Sequence, residues 1–338
     1  MSTRRIGVLW VVLLVLVPAM LVAGGRAEEE PSEPVVDEDC FPGELDDRYC
    51  DRTGNLVADP PVDESDWRDP DILVFSYAPT EDPAVYEEAW EDFIAHLQEE
   101  LQRPVQWFGV RSYAAQVEAM RAGRLHISGF AAGAVQDAVN YGGFVPQSVM
   151  AFPDGRVGYF MEIWAHQDSD IREIEDLRGR QLAFVSESSN SGYFAPRALL
   201  YDEFDMLPGR DFDTAFSGSH DNSALGVLNE DYDAAALAST VMDRMIAADR
   251  LPPREEFARV LYESQEFPTT AYGVAHDLSP ELQERIRDAF LNFDWEGTSV
   301  AEEFAPRNSF VGVDYEQDWA VMRAIRQGSE QVAEILGE

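Results

Sequence analysis

The chain has 338 residues, with 64 acidic side chains against 25 basic ones, all of them arginine, for a formal net charge of −39. No basic face is available for nucleic-acid phosphates or for an anionic membrane surface, so neither is expected as a partner. The 45% apolar content supplies one large core or two ordinary ones, and such acidity keeps a protein soluble at high ionic strength, where self-repulsion is screened.

Arg4 and Arg5 precede an uncharged, strongly apolar run at 6–23, and small residues follow. That order predicts a signal peptide over 1–27, cut after Ala27, and hence an exported protein; an uncleaved anchor is the alternative, since the run is about long enough to span a bilayer. Residues 28–69 read as an acidic, Pro-rich and mostly solvated lead segment. It holds Cys40 and Cys50, the two cysteines of the chain. A close, even pair in an exported chain predicts a local disulfide. No nearby His or second thiol pair completes a zinc site, and Asp51, Asn55 and Asp59 depart from calcium-loop spacing, so no metal is expected.

The folded part begins with a strand at 71–77. A helix follows from Val85, with Tyr86, Trp90, Phe93, Ile94, Leu97 and Leu101 at helical spacing. Strand 104–110, helix 112–124, strand 126–130 and helix 132–140 complete a β-α-β-α-β-α order, which predicts a parallel sheet with helices on its faces. Strand 157–166 leads out of this unit. A second alternating run follows: a short helix at 171–180, a strand at 181–186, and a helix at 191–204 interrupted by Pro196. Then come strand, loop, helix and strand over 214–240, a helix at 241–250 and a strand at 259–265. The chain next runs back toward the first unit, and 281–293 and 315–336 are helical. The expectation is two α/β lobes: 70–162 plus 274–338 as lobe one and 163–273 as lobe two. Ligands of open α/β sheets sit beyond the C-terminal strand ends, so two facing lobes make a cleft that closes by hinge bending.

The loops after the strands carry the candidate chemistry. FVSESSNSGYFAPRALL (184–200) places Ser186, Ser188, Ser189, Asn190 and Ser191 where a strand turns into a helix. Small donors at a helix start serve as an N-cap or as an oxyanion site, and five in six positions exceed what a cap requires. Tyr77, Tyr113 and Tyr159 add hydroxyls, and Arg111 is the obvious nearby cation. His220 with a serine invites a hydrolase reading, but no G-x-S-x-G elbow is present and Ser219 adjoins it in sequence. His220 reads instead as a donor or a structural residue at a helix N-terminus, and no catalysis and no cofactor are expected.

Four blocks in order carry a specific resemblance: RSYAAQVEAMRAGRLHISGF, VSESSNSGYFAP, FSGSHDNSALGVLNEDYDAAALAST and SQEFPTTAYGVAHDLSPEL. From about Asp71 to Phe293 the chain resembles the phosphate/phosphite/phosphonate substrate-binding proteins of ABC importers. The resemblance implies a two-lobe periplasmic-binding-protein fold of the type II kind, each lobe a mostly parallel sheet flanked by helices, with two crossover strands at the hinge. It implies a periplasmic receptor that binds a small phosphorus oxyanion and presents it to a membrane permease; the alternative is the same fold serving another small ligand or a sensor. In the family's D-P-N-S-T-S-G-Y motif, Ser189 and Ser191 match here and Asn190 replaces the threonine, with Ser188 just before them. His220 matches the family histidine, and Tyr113 and Tyr159 match its aromatics. Members that bind aminoethylphosphonate hold the amine with two carboxylates; those positions read here as Thr240 and Thr270. An ammonium buried without a carboxylate is costly, so aminoethylphosphonate is not the expected ligand.

Overall fold

The computed structural model describes Cys40, residues 43–81 and residues 83–338. The expected signal peptide lies outside the described residues. Among those residues, no helix is long and apolar enough to cross a membrane.

Among the described residues eleven strands form two sheets. They are β1 (Leu73–Tyr77), β2 (Val105–Trp107), β3 (Ile127–Phe130), β4 (Phe144–Ala151), β5 (Gly158–His166), β6 (Gln181–Phe184), β7 (Asp213–Phe216), β8 (Ala234–Ala238), β9 (Ala258–Pro268), β10 (Ala271–Ala275) and β11 (Ser309–Gly312). The first sheet runs β11-β4-β10-β3-β1-β2 and the second β7-β6-β8-β5-β9. Each is parallel only in its three-strand part, β2-β1-β3 and β7-β6-β8; the other pairs are antiparallel. Central strands read as unbroken apolar runs because both faces are covered. β8 is AAALA with every residue buried, and its short side chains let the flanking layers approach closely.

The chain crosses between sheets twice, at 152–157 and at Thr269–Thr270. The expected boundary at 162/163 falls inside β5, whose residues pair in the second sheet throughout, and β10, which opens the return to the first sheet, starts at Ala271 rather than 274.

Several elements differ from the sequence expectation for identifiable reasons. Residues 171–180 hold a 3-10 turn, Ile174–Leu177, closed by reciprocal bonds of Glu173 and Asp176, and no α-helix. Pro196 does not interrupt its helix. It sits in the first turn of Ala195–Phe204, where a missing N–H costs nothing. β4 escapes the pattern reading because Pro146 breaks it; Pro146 faces Gly273 at a register shift, the kind of irregularity where proline is tolerated in a sheet.

Where it is described, at Cys40 and 43–69, the lead segment is less solvated than expected. Leu45, Tyr49, Val57 and Ala58 are buried in the main core. Asp46 N donates to Asn140 O at 2.7 Å, and the Tyr49 ring meets His276 edge-on at 4.8 Å. Cys40 and Cys50 form the expected disulfide, with Cα atoms 5.1 Å apart.

The C-terminal helix Ala320–Leu336 also departs from a lobe-one assignment. It packs along Ala195–Phe204 of the second lobe, where Gly328 lets the helices close: a Cβ there would lie 3.1 Å from Ala198 Cβ. Arg326 meanwhile pairs with Asp137 of the first lobe at 2.7 Å and lies 4.9 Å over the Phe194 ring of the second. This helix therefore bears on both lobes.

Candidate functional site

The two lobes meet around a cavity of about 50 Å³, measured as space open to the centre of a water-sized sphere. One such sphere needs roughly 10–15 Å³, so the cavity suits a handful of waters or one small tetrahedral ion. Tyr77, Tyr113, Tyr159, Ser189, Asn190, Ser191, His220, Thr240 and Thr270 all line it. The tenth expected residue, Ser188, does not. It lines the outer grooves, because the chain turns inward only at Ser189.

The second lobe contributes the cradle. After β6 the chain reaches Ser189, then a π turn, Asn190–Phe194, that runs straight into Ala195–Phe204. The π turn widens the first turn at the cavity, a distortion common at functional sites. Ser189 Oγ accepts from Gly192 N at 3.1 Å, so its own proton is free to be donated. Gly192 is required there, since a Cβ would come within 2.4 Å of the Val185 side chain. Asn190 Nδ2 donates to Tyr159 Oη at 2.9 Å, which leaves the Tyr159 proton free to point at a ligand.

His220 opens the helix His220–Leu228. Ala238 N donates to its Nδ1 at 3.2 Å, which assigns the ring proton to Nε2. Nε2 faces Ser189 Oγ across 3.5 Å. Burial holds the ring's pKa down to about 4, so near neutrality His220 is an uncharged donor aimed into the cavity. A general base would need a free lone pair there, and Nε2 offers a proton instead.

The first lobe supplies the opposing wall. Tyr113, at the start of the helix Tyr113–Arg121, has a buried hydroxyl with no hydrogen-bond partner among the described residues, and burial raises its pKa so that it stays a donor. Gly133 brings the helix Ala132–Gly142 against the cradle; a Cβ there would lie 2.4 Å from Asn190 N and 2.8 Å from Ser188 O. His220 N donates across the cleft to Thr80 O at 3.3 Å. The cleft is thus closed by direct backbone approach.

The cations differ from the sequence expectation. Arg111 is exposed and lines outer grooves, while Arg244 and Arg307 line the cavity. Arg244, from the helix Ser239–Ala247 of the second lobe, reaches Glu81 at 2.5 Å and Glu303 at 3.4 Å. Arg250 also reaches Glu81, at 2.6 Å. Burial opposes the Glu81 charge, but the two guanidiniums outweigh it and hold its carboxyl below the usual range. Arg307 is 6% exposed; its Nη2 donates to Gly158 O at 3.3 Å and its guanidinium lies 4.5 Å over the Phe152 ring. No sequence motif pointed to either arginine, since each comes from a segment outside the donor-rich loops. Among the described residues no Asp or Glu lines the cavity, and no cluster of His, Cys, Asp and Glu has the makings of a metal site.

The profile of the family described as ABC transporter, phosphonate, periplasmic substrate-binding protein matches residues 75–319. Among individual proteins, the phosphate-import protein PhnD of Mycolicibacterium smegmatis is 26% identical over 281 residues, covering 79% of this chain and 87% of its own. The phosphonates-binding periplasmic protein of Escherichia coli is 24% identical over 227 residues, covering 65% of this chain and 66% of its own. PhnD1 from Prochlorococcus marinus, solved with methylphosphonate, superposes with a TM-score of 0.64 at 19% identity, over 80% of this chain and 99% of that one. A binding-protein component of an ABC phosphonate transporter from Pseudomonas aeruginosa gives 0.65 at 19%, over 79% and 98%. With its two-lobe α/β fold and a profile match over most of its length, the chain belongs to the periplasmic substrate-binding proteins of phosphonate ABC transporters.

Proposed function

We propose that this protein is the extracytoplasmic receptor of an ABC importer and that it carries a compact phosphorus oxyanion, such as phosphate, phosphite or methylphosphonate, to a membrane permease. The observation that carries the reading is the donor set. Ser189, Ser191, the Nε2–H of His220 and the hydroxyls of Tyr113 and Tyr159 converge from both lobes on one small cavity. Fixed neutral donors and a helix start hold an anion even in a protein of strongly negative charge, because long-range repulsion is screened beyond about 8 Å at physiological salt. The relatives' names, a phosphate-import protein and a phosphonates-binding protein, point to the same ligand class. Thr240 and Thr270 line the cavity and, by the family resemblance, read at the positions where amine-binding members carry carboxylates, which favours ligands without an ammonium group.

The reading treats the site as one for binding and release. His220 Nδ1 is engaged by a backbone N–H, so no carboxylate orients the ring as a base. Calorimetric titration of the wild type and of Ser189→Ala with Ser191→Ala tests it. Tight wild-type binding of one phosphorus oxyanion, lost in the double variant, supports the cradle. Equal binding by both proteins refutes it.

A further inference from the structure

We propose that Arg307 is the charge partner of the bound oxyanion and makes the cavity selective for a compact dianion over a zwitterion. The inference rests on the functional reading above and deepens it. Two arginines line the cavity, and their surroundings differ. Arg244 has two carboxylates, Glu81 and Glu303. Arg307 forms no ion pair among the described residues, and its Nε is buried without a hydrogen-bond partner there. A carbonyl, Gly158 O, and an aromatic face, Phe152, hold the guanidinium in place, but neither neutralises it. Burial, with Arg244 adding to it, pushes the Arg307 pKa down to about 10, which leaves it fully charged at physiological pH.

A buried charge with no counter-charge is strongly unfavourable. Here the compensation has to come from what occupies the cavity, because no Asp or Glu among the described residues lines it. A guanidinium also fits an oxyanion better than a point charge would, since its planar fork matches two oxygens at once. The cradle of Ser189, Asn190, Ser191 and His220 is neutral, so on its own it separates a monoanion from a dianion only weakly. Arg307 supplies the net positive charge that favours the second ionisation. The same charge works against an ammonium substituent, which would meet a cation and no carboxylate. The ligand class that fits is a fully ionised phosphorus oxyanion with a small substituent or none.

The test titrates inorganic phosphate and aminoethylphosphonate into the wild type, Arg307→Gln and Thr270→Asp, at pH values below and above the second ionisation of phosphate. Unfolding of each protein without ligand is followed in parallel. The wild type binds phosphate more tightly as pH rises through that ionisation and discriminates against aminoethylphosphonate. Arg307→Gln weakens phosphate by about 10- to 100-fold, the scale of one charge-assisted bond, and flattens the pH dependence. Its unliganded form is no less stable than the wild type, because an unpaired buried charge has been removed. Should Arg307→Gln fail to fold, Thr270→Asp decides. A carboxylate introduced into the cavity that Arg307 also lines weakens phosphate and improves aminoethylphosphonate. Phosphate affinity within threefold of wild type in a folded Arg307→Gln or Thr270→Asp overturns the inference and leaves the receptor reading standing. A wild type that binds no phosphorus oxyanion refutes that reading, and the inference falls with it.

Discussion

Replacing Glu81 by glutamine is predicted to weaken ligand binding far more than it weakens the unliganded fold. Glu81 lies in the loop after β1, in the first lobe, with a side chain 0% exposed; its partners Arg244 and Arg250 come from the second. The bonds therefore exist only where the lobes are together. The Arg244 pair is buried on both sides, and breaking such a pair costs about 3–5 kcal/mol. Arg250 is 37% exposed, so solvent screening leaves its share at about 1 kcal/mol or less. Glutamine keeps one acceptor and the same shape, which favours the low end, about 3 kcal/mol. If that energy belongs to closure, it appears as a loss of about 100-fold in affinity, at about 1.4 kcal/mol per factor of ten. The assay pairs calorimetric titration with urea unfolding of the unliganded protein. Loss of the full 3 kcal/mol or so from unfolding, with affinity unchanged, would refute the latch and make the network a permanent structural tie.

Other perturbations report on the same architecture. Gly133→Ala adds a methyl aimed at Asn190 N, so affinity should fall at least tenfold while unliganded stability holds; thermal unfolding with and without ligand checks both. His220 ties stability to pH: the unfolded chain takes up its proton near 6.5 and the folded one only near 4. Unfolding therefore binds a proton in that window, and stability is kept above pH 6.5 and lost as pH falls toward 4, by up to about 3 kcal/mol; pH-dependent urea unfolding of the wild type against His220→Asn should show the steeper loss in the wild type. Arg326→Ala removes the Asp137 pair and the stack on Phe194 and should loosen the C-terminal helix, seen as faster amide exchange over 320–336 with phosphate affinity reduced by less than the Glu81→Gln effect.

The legible parts of this protein were those written locally. The cradle could be read because five small polar residues crowd one strand-to-helix turn, and a cap needs fewer. The parallel halves of both sheets followed from alternating β and α patterns. What could not be read depends on distant partners. β4 carries Pro146, acceptable only because Gly273 faces it at a register shift, and that partner lies far along the chain. Arg244 and Arg307 lie outside the donor-rich loops, and only folding places them at the cavity: Arg244 from the helix Ser239–Ala247 of the second lobe, Arg307 after the chain has returned to the first. Arg111, beside a motif tyrosine, was the natural choice of cation, and it points to the outer grooves. The C-terminal segment was legible as helical, but the lobe it covers was not, because Gly328 marks close packing only once Ala198 is opposite it.

The most direct test of the account is a crystal structure of the protein grown with methylphosphonate. The account predicts one anion in the cavity, with phosphonate oxygens within hydrogen-bond distance of Ser189 Oγ, His220 Nε2 and the Arg307 guanidinium. An anion bound elsewhere, or a cavity holding a ligand whose polar groups face neither the serines nor His220, would contradict it.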